Sequence, residues 1–191
     1  MNSWMYQFCA LICHQVPDRT IYLGRYLPLC ARCTGIYTGF FLSIVYQVAL
    51  FQSRIRKLPS LKFSVLSIFF LTVLILESII SFFGLWSASL NIRLILGLLG
   101  GSSIGLFLFP VFNFSLFHKN AGMGISRWKE HLLLMLLLGL LVIAVLSGQP
   151  IFYFPLSVFS MAGVLLLFSM IGLVMILCII KSIHRNFTDR S

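Results

Sequence analysis

Five apolar runs, at about residues 34–52, 64–84, 93–112, 132–148 and 156–180, dominate this chain of 191 residues. Each approaches or exceeds the roughly 20 residues that a helix needs to cross a hydrocarbon core about 30 Å thick. Runs of this kind leave few architectures open. In lipid every backbone N–H and C=O must be bonded within the protein, which a helix does inside its own segment and an open sheet does not. A membrane β-barrel would show short alternating segments instead, and the sequence has none. With 60% hydrophobic and 9% charged residues, the expected fold is an all-α, polytopic integral membrane helical bundle of about five transmembrane helices. Residues 1–191 read as a single membrane domain, in which residues 1–33 form an interfacial segment and a short Cys/His-rich N-terminal cap. The connecting segments contain no long polar insertion, and no internal repeat is visible.

The formal net charge of +10 would point to nucleic acid in a soluble chain, because a basic surface attracts phosphate. Here Lys and Arg come in small groups between the apolar runs, the pattern of cytoplasmic loops that meet anionic lipid. Membrane lipids, not nucleic acid, are therefore the expected partners. Ten basic residues fall on one side of the five runs: Arg54, Arg56, Lys57, Lys62, Lys119, Arg127, Lys129, Lys181, Arg185 and Arg190. Four fall on the other: Arg19, Arg25, Arg32 and Arg93. The positive-inside bias then places the C-terminus in the cytoplasm and the N-terminal cluster at the extracytoplasmic face. No Lys or Arg precedes Arg19, so the basic start of a cleavable signal is missing and the N-terminus is expected to be retained. The apolar stretch from Trp4 to Cys13 is short for a span and suits an interfacial or re-entrant helix.

The one stretch that is not apolar, CHQVPDRTIYLGRYLPLCARCTGIYTG at residues 13–39, holds three of the five cysteines. Cys13 and His14 are adjacent, and Cys30 and Cys33 form C-x-x-C after a loop containing Pro and Gly. C-x-x-C lets two sulfurs converge from one turn while a second segment supplies the remaining ligands, and three Cys with one His are a structural zinc set. Cys13, His14, Cys30 and Cys33 are accordingly candidate ligands for zinc or another transition metal ion. Neighbouring side chains diverge on a helix, so this set requires an irregular backbone at Cys13–His14, for which Pro17 provides a break just downstream. Cys9, one helical turn before Cys13, is a substitute. C-x-x-C is equally the spacing of a reactive dithiol, and Arg32 between its cysteines favours a thiolate. That reading makes the protein a membrane thiol-disulfide oxidoreductase with a quinone as cofactor. Structural disulfides or inert thiols are the third alternative. Arg19 and Arg32 are candidate contacts for an anion or a lipid headgroup, since guanidinium binds phosphate through paired hydrogen bonds.

Cys13, His14, Gln15, Pro17, Arg19 and Thr20, followed by Pro28, Cys30, Arg32, Cys33, Gly35, Tyr37 and Gly39, resemble the signature of a bacterial and archaeal family of predicted multispanning membrane proteins of unknown function. The resemblance implies a membrane protein of a bacterial or archaeal cell and assigns no activity. A weaker similarity continues at NIRLILGLLGG, Asn91 to Gly101. Where the family commonly has Asp-Gly within a span, this chain has Glu77-Ser78.

Glu77 interrupts the second run. A carboxylate in lipid costs at least about 2.5–3.5 kcal/mol, so it needs a partner or a proton. If the second and third runs form a hairpin turning near Ser87, Arg93 lies opposite Ser81, one turn from Glu77, and can form an intramembrane ion pair with it. Such a pair either locks the hairpin or serves a small transporter as a relay. Gly97, Gly101 and Gly105, with Gly35 and Gly39, repeat every four residues and mark close helix packing. His118, Glu130 and His131 read as a solvated cytoplasmic interface and lack the H-E-x-x-H spacing of zinc proteases. Cys178, far from the other cysteines, reads as a packing residue. The sequence assigns no catalytic set.

Overall fold

Apolar length sets the main elements. The computed structural model describes residues 3–51, 59–86, 88–117 and 128–188. Ser87, His118 and the basic residues Arg54, Arg56, Lys57, Lys119, Arg127 and Arg190 lie outside them. The described chain runs α1 (Ser3–Ala10), β1 (Thr20–Tyr22), β2 (Tyr26–Cys30), α2 (Ala31–Phe51), α3 (Leu61–Phe82), α4 (Leu90–Phe117), α5 (Trp128–Leu146) and α6 (Tyr153–Thr188). Among the described residues, helices α2 to α6 are the five that are long and apolar enough to cross a membrane. α1, with 8 residues, is too short to do so.

The span windows of α2 and α4 are 56% and 61% buried inside the protein, those of α3, α5 and α6 only 22%, 22% and 17%. α2 and α4 thus form the centre, and the outer helices expose Ile, Leu, Val and Phe in the manner of lipid-facing surface. The centre is held by backbone contact. A Cβ on Gly35 of α2 would stand 2.5 Å from the Leu94 carbonyl oxygen and 2.9 Å from the Leu98 nitrogen of α4. On Gly97 it would stand 2.5 Å from the Arg32 carbonyl oxygen, and on Gly105 it would meet the side chain of Ser43. Gly39 and Gly101 lie equally tight, against the backbones of Leu98 and Ile36. Gly163 of α6, outside any repeat in the sequence, packs on the backbone of Tyr37.

Polar side chains tie α2 to α4, α6 and α5 across the interior. Gln47 of α2 donates to the Gly105 carbonyl at 3.0 Å, Thr38 and Ser160 share a hydrogen bond at 3.0 Å, and Tyr46 donates to the Glu130 carbonyl. His131 departs from the sequence expectation: instead of lying at a solvated interface it is 2% exposed, stacked on Phe63 with ring centroids 4.8 Å apart. Cys178 is exposed on α6 rather than packed inside the protein.

The expected loop before α2 is a small antiparallel hairpin, pairing Thr20 with Cys30 and Tyr22 with Tyr26 across an irregular register. Its tip, Leu23–Gly24–Arg25, needs a left-handed residue, and Gly24 has φ +71°, the usual solution in a three-residue loop. A Cβ on Gly24 would come within 3.0 Å of the Pro150 side chain, so the tip sits on the turn before α6. Leu23 and Leu27 enter the core with Leu94, Leu98 and Leu156. The hairpin therefore caps one end of the bundle as part of its packing.

Candidate functional site

Cys30 ends the hairpin and begins α2. Its Sγ accepts the N–H of Cys33 at 3.5 Å, as a side-chain acceptor does at a helix N-cap, and the two sulfurs turn to one side of the first helical turn. Cys13 approaches from the other segment. The chain leaving α1 closes one more turn through the Cys13 N–H to the Cys9 carbonyl at 2.9 Å. The Cys30 N–H then donates to Cys13 Sγ at 3.4 Å. The Sγ atoms of Cys13, Cys30 and Cys33 all lie within 4.8 Å of one another. All three are free thiols.

The thiols of Cys30 and Cys33 hydrogen-bond to Cys13 and hold it well below the ordinary thiol range. Cys30 is pushed up, because its proton is held towards the Cys13 sulfur. Cys9, buried in the same cluster but outside the set of converging sulfurs, is pushed up to about 11 by loss of water. Negative charge therefore concentrates where the three sulfurs meet.

Gln15 keeps the two segments together. Its φ of +47° is a left-handed conformation uncommon outside glycine. Its Nε2 donates to the Tyr6 carbonyl at 2.8 Å and to the Pro28 carbonyl at 2.9 Å. The amide thus clamps α1 to β2 across the cysteines. Sequence reasoning met Gln15 only as one letter of the signature, the one sign of this role. Gln15→Ala is expected to speed alkylation of Cys13 and Cys30 by about tenfold, the cost of one or two part-buried hydrogen bonds, without lowering the yield of folded protein. Labelling rates equal to wild type would mean that Gln15 does not clamp the two segments.

A cavity of about 370 Å³ opens beside the sulfurs. Cys13, Cys30 and Cys33 form one side, Arg19, Arg32 and Arg93 bring positive charge to it, and Ile12, Val16 and Phe82 are apolar lining. His14 lines the cavity too, but it is exposed and stands outside the set of converging ligand atoms. The adjacent side chains diverge, so the structure assembles three of the four expected ligands.

The expected pair of Glu77 with Arg93 is present but is not the closest one. Arg93 does lie opposite Ser81, donating to its Oγ at 3.0 Å and to the Ala88 carbonyl at 3.0 Å, but its Nε is 3.9 Å from Glu77. The close partner is Arg32, whose Nη2 donates to Glu77 Oε1 at 2.8 Å and lies 2.6 Å from Oε2. Arg32, expected to contact an anion or headgroup, lines the cavity and also joins the first turn of α2 to α3. Arg19 is exposed and has no carboxylate partner among the described residues. The glycines singled out in the sequence lie away from the sulfurs, in the α2–α4 contact.

Residues 13–107, which include the three cysteines, the arginines and Glu77, match the profile of the family described as "Predicted membrane protein (DUF2085)". This part of the chain is similar to that family of membrane proteins. An uncharacterized protein of Methanocaldococcus jannaschii is similar to it, with 27% identity over 116 residues that cover 60% of this chain and 72% of the relative. An uncharacterized protein of Methanothermobacter thermautotrophicus is 53% identical over 36 residues, 18% of this chain and 32% of the relative. The chain thus spans about a third of that second protein. No solved structure gives a significant match.

The donor set fits a soft or borderline metal ion. Sulfurs at about 2.3 Å from a tetrahedral zinc ion lie about 3.8 Å apart, inside the limit that these three already satisfy. The Cys30 and Cys33 N–H groups that point at sulfur would partly neutralise the thiolates.

Proposed function

We propose that this membrane protein holds one metal ion, zinc by ligand type, on Cys13, Cys30 and Cys33 in a cap at the extracytoplasmic face, with the C-terminus in the cytoplasm. The convergence of three thiol sulfurs from two segments carries this reading. The orientation rests on the distribution of basic residues between the two ends of the spans. Three thiolates leave a fourth position towards the cavity, so the ion both fastens α1 to the start of α2 and faces a ligand. His14, on the cavity lining, is the fourth ligand only after its ring turns inward.

Elemental analysis of detergent-purified protein tests this directly. The expected result is about one equivalent of metal in wild type, none in Cys30→Ser/Cys33→Ser, and about one in His14→Ala. Wild type without metal defeats the reading, and a metal-free His14→Ala closes the fourth position. A second reading follows from the same three free thiols: Cys30 and Cys33 form a disulfide, delivering two electrons and two protons to a quinone. Thiol counting on the same samples separates them, because metal binding keeps three thiols reduced and turnover with quinone removes two. A transport role for Glu77 has less support, since the carboxylate is held between Arg32 and Arg93.

A further inference from the structure

The cavity beside the sulfurs carries more positive charge than its surroundings balance. Arg19, Arg32 and Arg93 line it, while Glu77 is the one carboxylate paired with any of them among the described residues. Zinc on three thiolates would add a single negative charge and leave the excess in place. Arg32 and Arg93 are fixed by Glu77, Ser81 and the Ala88 carbonyl, and Arg32 Nε is buried with no hydrogen-bond partner. Arg19 has no carboxylate partner among the described residues. Guanidinium groups lining one half-open cavity from separate elements suit an oxyanion better than any cation or neutral solute.

The remaining lining narrows the ligand. Ile12, Val16 and Phe82 are apolar, and Phe82, at the end of α3, is 85% exposed. Phe83, Leu85 and Trp86 continue that exposed apolar surface. The mouth therefore adjoins the end of a membrane-spanning helix, at the level of lipid headgroups. A volume of about 370 Å³ exceeds what one small inorganic anion fills.

We propose that the cavity binds a phosphate-bearing anion, its phosphate held by Arg19 and Arg32 on the side facing the three sulfurs. The phosphate belongs either to a membrane lipid or to a soluble phosphate ester. This adds a ligand to the metal reading and depends on the guanidinium groups, not on the ion.

Equilibrium dialysis of the purified protein in neutral detergent tests it, with phosphatidic acid in mixed micelles and inorganic phosphate as separate probes and diacylglycerol as the tail-only control. Wild type is expected to bind one equivalent of phosphatidic acid and no diacylglycerol. Arg19→Gln is expected to weaken that binding about tenfold, the loss of one charge-assisted bond, while Arg25→Gln, the same charge change in the hairpin away from the cavity, leaves it intact. Phosphatidic acid binding that phosphate does not displace identifies a lipid, and equal displacement identifies a soluble ester. Failure of both probes to bind folded wild type, or binding unchanged in Arg19→Gln, overturns the inference. Metal content measured on the same preparations keeps the two readings apart. Arg19-dependent binding without metal defeats only the metal site, and metal with Arg19-independent binding defeats only the anion site.

Discussion

Glu77→Gln is expected to destabilise the detergent-solubilised protein by about 3–5 kcal/mol, the usual cost of removing one partner from a buried ion pair. Glu77 is 4% exposed, and it faces Arg32 at 21% and Arg93 at 5%. The two arginines would not suffer equally. Arg93 keeps Ser81 and the Ala88 carbonyl as acceptors, whereas Arg32 loses its carboxylate with Nε already unpartnered. The double variant Glu77→Gln/Arg32→Gln should therefore recover much of the loss, a coupling that a double-mutant cycle measures. The readout is the temperature at which the protein stops eluting as a monodisperse peak. A single variant that matches wild type, or a double variant worse than the sum of the two singles, would mean that the pair does not hold α3 to the cap. Because Arg32 lies between Cys30 and Cys33, metal content should fall with stability in Glu77→Gln and return in the double variant.

That pairing marks the boundary of what the sequence discloses. The five spans were legible as apolar helices because lipid imposes a length and a polarity on every crossing segment, and both are local properties. Arg93 was placed opposite Ser81 by counting turns along a hairpin, and there it stands. The closer partner of Glu77 comes from the start of α2, and no spacing along the chain measures the distance between α2 and α3. C-x-x-C with Cys13 was legible as one cluster, yet His14 was grouped with it by adjacency in sequence, the relation that turns neighbouring side chains apart. The hairpin at Thr20–Cys30 was hidden because its strands are short and carry Pro28, which cannot donate to a ladder. His131 looked like a loop residue beside Glu130 and Lys129. It is buried because α5 begins at Trp128, which places it in the first helical turn against Phe63. Gly163 has no partner at a spacing of four residues, so only its contact with Tyr37 shows why it is glycine.

Gly101→Leu is expected to yield no monodisperse protein, and Gly101→Ala to be severely destabilised. A Cβ at residue 101 would overlap the carbonyl oxygen of Ile36 and stand 2.7 Å from its carbon and 2.8 Å from its Cα. These are backbone atoms of a helix, which cannot turn aside as a flexible side chain can, so α2 and α4 must separate. Overpacking commonly costs about 1–3 kcal/mol, and here separation also breaks the Gln47 hydrogen bond to Gly105 inside a region without water to replace it. Gly139→Ala and Gly172→Ala supply the contrast, because a Cβ at either position meets nothing within 4 Å. There the same chemical change should be neutral or stabilising by up to about 1 kcal/mol, since alanine loses less backbone freedom in a helix. Equal thermal midpoints for Gly101→Ala and Gly139→Ala would show that the close α2–α4 contact is not what holds the bundle. The consequence reaches the cap, because α2 carries Cys30 at its N-cap, Cys33 in its first turn and the Gly35 and Gly39 contacts directly behind them. A displaced α2 moves two of the three sulfurs and Arg32 together, so Gly101→Ala should lose metal although residue 101 touches none of the ligands.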